Sequence, residues 1–171
     1  MHSIAWWPTA AVVTIATITD LRRRRIPNWL VIPYMAIGLL LSGIRLGLHG
    51  LVHSLGGIAL GLAVFGVLAI KGGMGMGDVK LCAAIGAWIW AQQLFVALIF
   101  TAIAGGILAL VWASAQGFLS DLFGAIGRRI FGFLRPGAKP GMQLDVDNPL
   151  SRRMPYAPAI AIGTLISFFS R

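Results

Sequence analysis

Runs of apolar residues at roughly 4–19, 30–48, 51–70, 79–93, 94–113 and 155–170 occupy most of this chain, and they constrain its fold more than any other feature. A helix needs about 20 apolar residues to cross a hydrocarbon core of about 30 Å, so each run reads as a membrane span. The fourth and fifth runs are nearly continuous. They divide at the polar pair Gln92-Gln93, because a single helix of their joint length greatly exceeds a bilayer. Of the 171 residues, 58% are hydrophobic and only 11% charged, too few charges to cover a soluble domain of this size. The acidic residues are all Asp, and Glu is absent, which fits helices whose outer faces meet lipid. The expected fold is all-α: a polytopic membrane protein, a bundle of about six transmembrane helices forming one domain over 1–171.

Alternation of six spans puts Arg22 to Arg25, Lys71, Lys80, Arg128, Arg129, Arg135, Lys139, Arg152 and Arg153 on one side, and leaves only Arg45 and Arg171 on the other. By the positive-inside rule the crowded side is the cytoplasm and both termini lie outside. The first run is an inserted span and not a cleaved signal, since its charges follow it and none precede it. Trp6, Trp7, Trp88 and Trp90 are expected at the outer interface, and Trp29 and Trp112 at the inner one, as an aromatic belt. Topology and anionic lipid headgroups thus account for the net charge of +9 without nucleic acid. Gly43-x-x-x-Gly47 and Gly57-x-x-x-Gly61 have the spacing of helix-packing motifs, or of chance in glycine-rich spans. In 114–154, Phe118, Leu122, Ile126, Ile130 and Phe133 recur at helical spacing beside Asp121, Arg128 and Arg129, which predicts an interfacial helix on the cytoplasmic leaflet. A Pro- and Gly-rich loop, holding Asp145 and Asp147, follows it.

Ionisable groups are so scarce that each can be weighed singly. Asp20 closes the first span and Asp78 opens the fourth, which puts both at the cytoplasmic edge. Two carboxyls brought together in an apolar surround cannot both carry charge comfortably, so the pair holds one proton between them. One member then activates water while the other protonates a substrate carbonyl. The plainer reading is that Asp20 balances Arg22 to Arg25 and Asp78 balances Lys80. Glycines at 72, 73, 75 and 77 precede Asp78 and let the backbone there approach another chain; the phosphate-loop pattern is missing. Lys80 either steadies Asp78 or faces headgroups. Asn28 either orients a carboxylate or caps the second span. Tyr156 reads as a hydrogen-bonding residue near the site or as a simple interfacial tyrosine. His49 and His53 are four apart, but no carboxylate or cysteine is near them in sequence, so no metal site is assigned. The single cysteine, Cys82, forms no internal disulfide and no four-thiolate zinc site.

Gly75-Met76-Gly77-Asp78, continued by Val79-Lys80, resembles the G-x-G-D signature of the type IV prepilin peptidases. Asp20-Leu-Arg-Arg-Arg-Arg-Ile26-Pro27-Asn28 resembles that family's other aspartate block, and Pro155-Tyr156-Ala157-Pro158-Ala159 its late motif. The resemblance implies an aspartic endopeptidase of a prokaryotic inner membrane. Such enzymes cut a basic leader from prepilins and pseudopilins, typically after a glycine, at the cytoplasmic face. It implies catalysis by Asp20 and Asp78 beside a loop shaped by Gly75 and Gly77, with no cofactor and no metal. The pilus assembly machinery is a further expected partner. Larger members also N-methylate the new terminus, using a segment that often carries paired cysteines. This chain begins at its first span and has one cysteine, so a peptidase without methyltransferase is expected. It is similar in this to the peptidases of tight-adherence (Flp-type) pili, and less so to archaeal preflagellin peptidases. A small cation transporter and a non-catalytic pilus assembly subunit are the rival readings.

Overall fold

The computed structural model describes residues 2–23, 25–70, 74–115 and 156–170. All regular elements among them are helices: α1 (His2–Arg23), α2 (Asn28–Ile70), α3 (Met76–Ala115) and α4 (Ala157–Phe169). The chain falls into two units, one formed by Met1–Gly105 with Pro155–Arg171 and the other by Gly106–Met154. In the second unit the described residues are the last ten of α3, where the Ser114 hydroxyl donates to the Val111 carbonyl at 2.7 Å. Beyond the end of α3, the interfacial helix and loop expected in 114–154 lie outside the described residues.

Two helices, α2 and α3, are long and apolar enough to cross a membrane. With 43 residues, α2 as a straight rod would reach about 65 Å, twice a hydrocarbon core. It breaks instead at Gly47, whose φ of 59° and ψ of −142° suit a residue with no Cβ. The chain reverses there. Gly50 packs on the carbonyl of Ser42, and a Cβ on Gly43 would lie 3.0 Å from the Leu51 side chain; residues eight apart in an unbroken helix are about 12 Å apart along its axis.

The second long helix breaks in the same way, at Trp90 (φ 64°, ψ 173°) and not at the expected Gln92-Gln93. A left-handed φ is strained for a bulky residue. Here the ring is held against His53, with centroids 5.2 Å apart and planes at 27°. Gln93 is buried, and its side-chain amide donates to the Ser167 carbonyl at 3.4 Å.

The first half of α3 is the axis of the assembly, and every residue from Leu81 to Ile89 is buried. The second half of α2 runs antiparallel to it, with Gly57 against Gly86 and Gly61 against the Ala83 backbone. The Ser54 hydroxyl donates to the Ala87 carbonyl at 2.8 Å. Of the two glycine pairs, Gly57 and Gly61 are thus a packing seam, whereas Gly47 is a turn. The first half of α2 lies alongside in parallel. There the Trp88 ring covers Gly38 and stacks on Tyr34 at 5.0 Å, and its indole N–H donates to the Tyr34 carbonyl at 2.8 Å. Trp88 is only 9% exposed, so it belongs to the core and not to an interfacial belt; the missing Cβ of Gly38 makes room for it. Trp7 and Trp29 are exposed, as a belt requires.

Helix α1 joins through a 2.6 Å hydrogen bond between Thr9 and the Tyr34 hydroxyl. Antiparallel to it, α4 packs Phe168 and Phe169 on Trp6, at 5.2 and 5.6 Å between centroids. Gly163 of α4 meets Thr101 and Ala97 of α3. The outer faces carry Ile15, Ile37, Leu40, Leu62, Ile99 and Ile103, all exposed. The exposed hydroxyls of Thr14 and Thr19 donate to the carbonyls of Ala10 and Ile15, four residues back, at 2.7 and 2.9 Å, which removes their need for water.

A methyl group on Gly86 would overlap the Gly57 carbonyl and come within 2.9 Å of Leu94. Gly86→Ala is therefore expected to cost about 1–3 kcal/mol. Gly66→Ala, which meets open space, should be close to neutral. Thermal unfolding of the two variants in detergent compares them directly.

Candidate active site

Helical periodicity aims the first carboxylate inward. Asp20 shares a face with Ala16, Val13 and Thr9, each completely buried, following the four- and three-residue steps of a helix stripe. Asp20 itself is 8% exposed, while the next residues, Leu21, Arg22 and Arg23, are exposed. The carboxylate thus turns into the protein and the cations turn out.

Asp78 arrives from the other direction. It is the third residue of α3, in the first turn, where the helix macrodipole favours an anion. Its backbone N–H donates to the Gly75 carbonyl at 3.1 Å, and its side chain is 7% exposed. Both loop glycines are in close contact. A Cβ on Gly75 would lie 3.4 Å from Asp78 Oδ2, and one on Gly77 would lie 3.2 Å from Ile26 Cβ. Gly77 therefore seats the link between α1 and α2 against the start of α3. Asp20 and Asp78 come within Coulombic reach of each other. Asp78 Oδ1 is buried and has no hydrogen-bond partner among the described residues.

The third sequence block also reaches this place. The Ala157 N–H, at the start of α4, donates to Asp20 Oδ2 over a long 3.4 Å. Pro158 in that first turn suits a helix start because its own N–H is not needed there. Sequence reasoning gave Ala157 no role. Its contribution is a backbone amide, and the only signal available was the proline-marked helix start at 155–158. Tyr156 precedes α4 as its N-cap, half-buried, and its carbonyl accepts from the Ile160 N–H at 3.1 Å.

Lys80 and Asn28 meet each other: the Lys80 ammonium donates to Asn28 Oδ1 at 3.2 Å on the exposed surface. Asn28 is the first residue of α2, whose opening N–H groups, at Leu30 and Val31, bond to the Pro27 carbonyl. This pair ties the start of α2 to the first turn of α3 beside the carboxylates. Cys82, one turn beyond Asp78, is buried. Among the described residues no three metal-ligating side chains converge.

Two buried carboxyls that sense each other, on the ends of different helices, form an arrangement suited to handling water and a proton. A profile of the type IV leader peptidase family matches residues 7–110, a stretch that contains both aspartates. The chain belongs to that family. Three similar curated proteins all carry the name prepilin leader peptidase/N-methyltransferase. The one from Xanthomonas campestris pv. campestris is 33% identical over 105 residues, which is 57% of this chain and 36% of that protein. The Neisseria gonorrhoeae protein is 31% identical over 115 residues, covering 64% and 40%. The Bacillus subtilis protein is 27% identical over 161 residues, covering 92% and 52%. The chain thus spans about half or less of the length of these relatives. No solved structure matches it.

The glycine contacts separate two substitutions in the leader peptidase loop. Gly77→Val forces its side chain into Ile26 and should lower the thermal midpoint in detergent by several degrees, about 1–3 kcal/mol of overpacking. Gly75→Ala places its methyl at ordinary contact distance from Asp78 and should leave the midpoint within about 2 °C of the parent.

Proposed function

We propose that this chain is a membrane aspartic endopeptidase that removes leader peptides from type IV prepilins, with Asp20 and Asp78 as the catalytic pair. The observation that carries the reading is the approach of these two buried carboxyls at the ends of α1 and α3, within the stretch matched by the leader peptidase family. In this mechanism the pair holds one proton. The ionised carboxyl takes a proton from water as its oxygen attacks the scissile carbonyl, and the protonated one donates to the carbonyl oxygen. As the C–N bond of the gem-diol intermediate breaks, the protonated carboxyl gives its proton to the departing amine and the ionised one takes a proton from a gem-diol hydroxyl, so the pair again holds one proton. Asp78 Oδ1, buried and without a partner among the described residues, is the acceptor that a bound water would satisfy.

We read the protein as crossing the membrane six times, through α1, the two halves of α2, the two halves of α3, and α4. The breaks at Gly47 and Trp90 support this, since each long helix then fits a bilayer. The charge pattern agrees with it, since alternation of six spans would put twelve of the fourteen Lys and Arg residues on one side. The site would then lie at the cytoplasmic face of a prokaryotic inner membrane, with both termini outside. The whole chain would act as one peptidase domain, with 114–154 on the cytoplasmic side. Exposed Arg22, Arg23, Arg25 and Lys80 would rest against anionic headgroups. Flp-type prepilins are the proposed substrates, handed on to the pilus assembly machinery.

Co-expression with an Flp-type prepilin should yield the shortened pilin, detected by its mobility and new N-terminus. Asp20→Asn and Asp78→Asn should each reduce cleavage at least about 1,000-fold while the thermal midpoint stays near that of the parent. Normal cleavage by either variant would sink the assignment of the pair. Unprocessed prepilin with the parent chain would favour a non-peptidase role.

A further inference from the structure

At the end of the bundle opposite the two aspartates, a second cluster of polar rings is left unused by the peptidase reading. His49 and His53 stand one turn apart on α2, just past the reversal at Gly47, and their Nε2 atoms are 3.0 Å apart. The rings meet nearly edge-on, with centroids 4.5 Å apart and planes at 78°. His49 is exposed and His53 half-buried. The His53 ring is further fixed by stacking on Trp90, the residue at which α3 reverses. Spacing in the sequence showed only that the two residues share a helix face. The structure adds that the same nitrogen of each ring is brought within hydrogen-bonding reach of the other.

Two imidazoles so arranged can share a proton, or both can offer their Nε2 lone pairs to a cation. In the metal-free pair the two nitrogens lie at hydrogen-bonding distance, a separation that one bound cation could span with little movement of the rings. With metal–nitrogen bonds of about 2.05 Å, a 3.0 Å separation subtends about 95° at the metal. A tetrahedral angle would need nitrogens about 3.4 Å apart. An angle near 90° suits the tetragonal nitrogen sites of Cu2+ and Ni2+, and the affinity order of divalent metals puts Cu2+ first. Among the described residues no third histidine, cysteine or carboxylate completes the set, which leaves the other positions to water. The approach is open, because His49 is exposed.

We propose that His49 and His53 form a bidentate site for a tetragonal divalent transition metal, Cu2+ foremost, on the end of the bundle remote from Asp20 and Asp78. Binding needs no net loss of protons from the neutral pair: the ring that donates through Nε2 moves its proton to Nδ1, and each Nε2 replaces one water on the metal. A bound metal would clamp the first turn after Gly47 and fix the ring on which Trp90 rests, bracing both chain reversals.

The test uses the full-length protein in detergent with any affinity tag removed. It is titrated with Cu2+, followed by calorimetry and by electron paramagnetic resonance. The expected result is one site with a tetragonal spectrum and two imidazole nitrogens. His49→Gln and His53→Gln should each weaken binding at least tenfold, while His2→Gln should leave it unchanged. Undiminished binding in both helix variants, loss on His2→Gln alone, or a spectrum without two imidazoles would overturn the proposal.

Discussion

The close approach of α2 and α3 without side chains between them is the constraint on which the rest of the structure depends. Gly57 and Gly86 touch backbone to backbone, and Gly61 meets Ala83 in the same way. A contact of this kind matters more inside a membrane than in water. Lipid chains are as apolar as the side chains they would replace, so helices associate through shape and dispersion instead of hydrophobic burial. The first half of α3 is correspondingly built from small residues, Cys82, Ala83, Ala84, Gly86 and Ala87, with Leu81, Ile85 and Ile89 filling the remaining volume, all of them buried. One segment can be surrounded on every side only if its neighbours approach closely. That central position then fixes where its two ends must lie.

The candidate site inherits its geometry from this packing. Asp78 is at one end of the buried segment, so its carboxyl is held by a core in which every residue from Leu81 to Ile89 is buried. Asp20 is brought to it by a helix that touches the core through Thr9, Val13 and Ala16 on the same stripe. Helix α4 supplies the third support, reaching Asp20 through the Ala157 amide. The glycines before Asp78 contribute by being small: Gly77 admits Ile26 and Gly75 leaves the carboxylate uncrowded. Leaving a buried polar oxygen without a partner costs about 1–3 kcal/mol. Asp78 Oδ1 incurs such a cost, and the surrounding packing offsets it.

How much of this the sequence disclosed depended on whether the signal was carried by side-chain pattern or by backbone. The apolar runs marked all four described helices, and the inward direction of Asp20 follows from its spacing to Ala16 and Val13. The two glycine pairs were ambiguous because spacing is identical in a packing seam and around a turn; only the partner across Gly57 and the positive φ of Gly47 separate them. Gln92-Gln93 looked like the break in α3 because glutamine is polar. Gln93 satisfies part of that polarity internally at the Ser167 carbonyl, and the reversal falls on Trp90, a residue whose type gives no hint of it. Trp88 was assigned to an interface by residue preference, yet the space over Gly38 drew it inside. The Ala157 amide was invisible for a simpler reason: every residue but proline has one.

The two ends of the central segment are thus built on opposite principles. At the Asp78 end the chain is opened by Gly75 and Gly77, and one carboxylate oxygen of Asp78 has no hydrogen-bond partner among the described residues. At the other end, aromatic and imidazole rings close on one another: Trp90 against His53, and His53 against His49. A strained φ at Trp90 persists only where its surroundings over-determine it, and the stacked ring supplies that determination. Rigidity at this end lets the segment act as a fixed post.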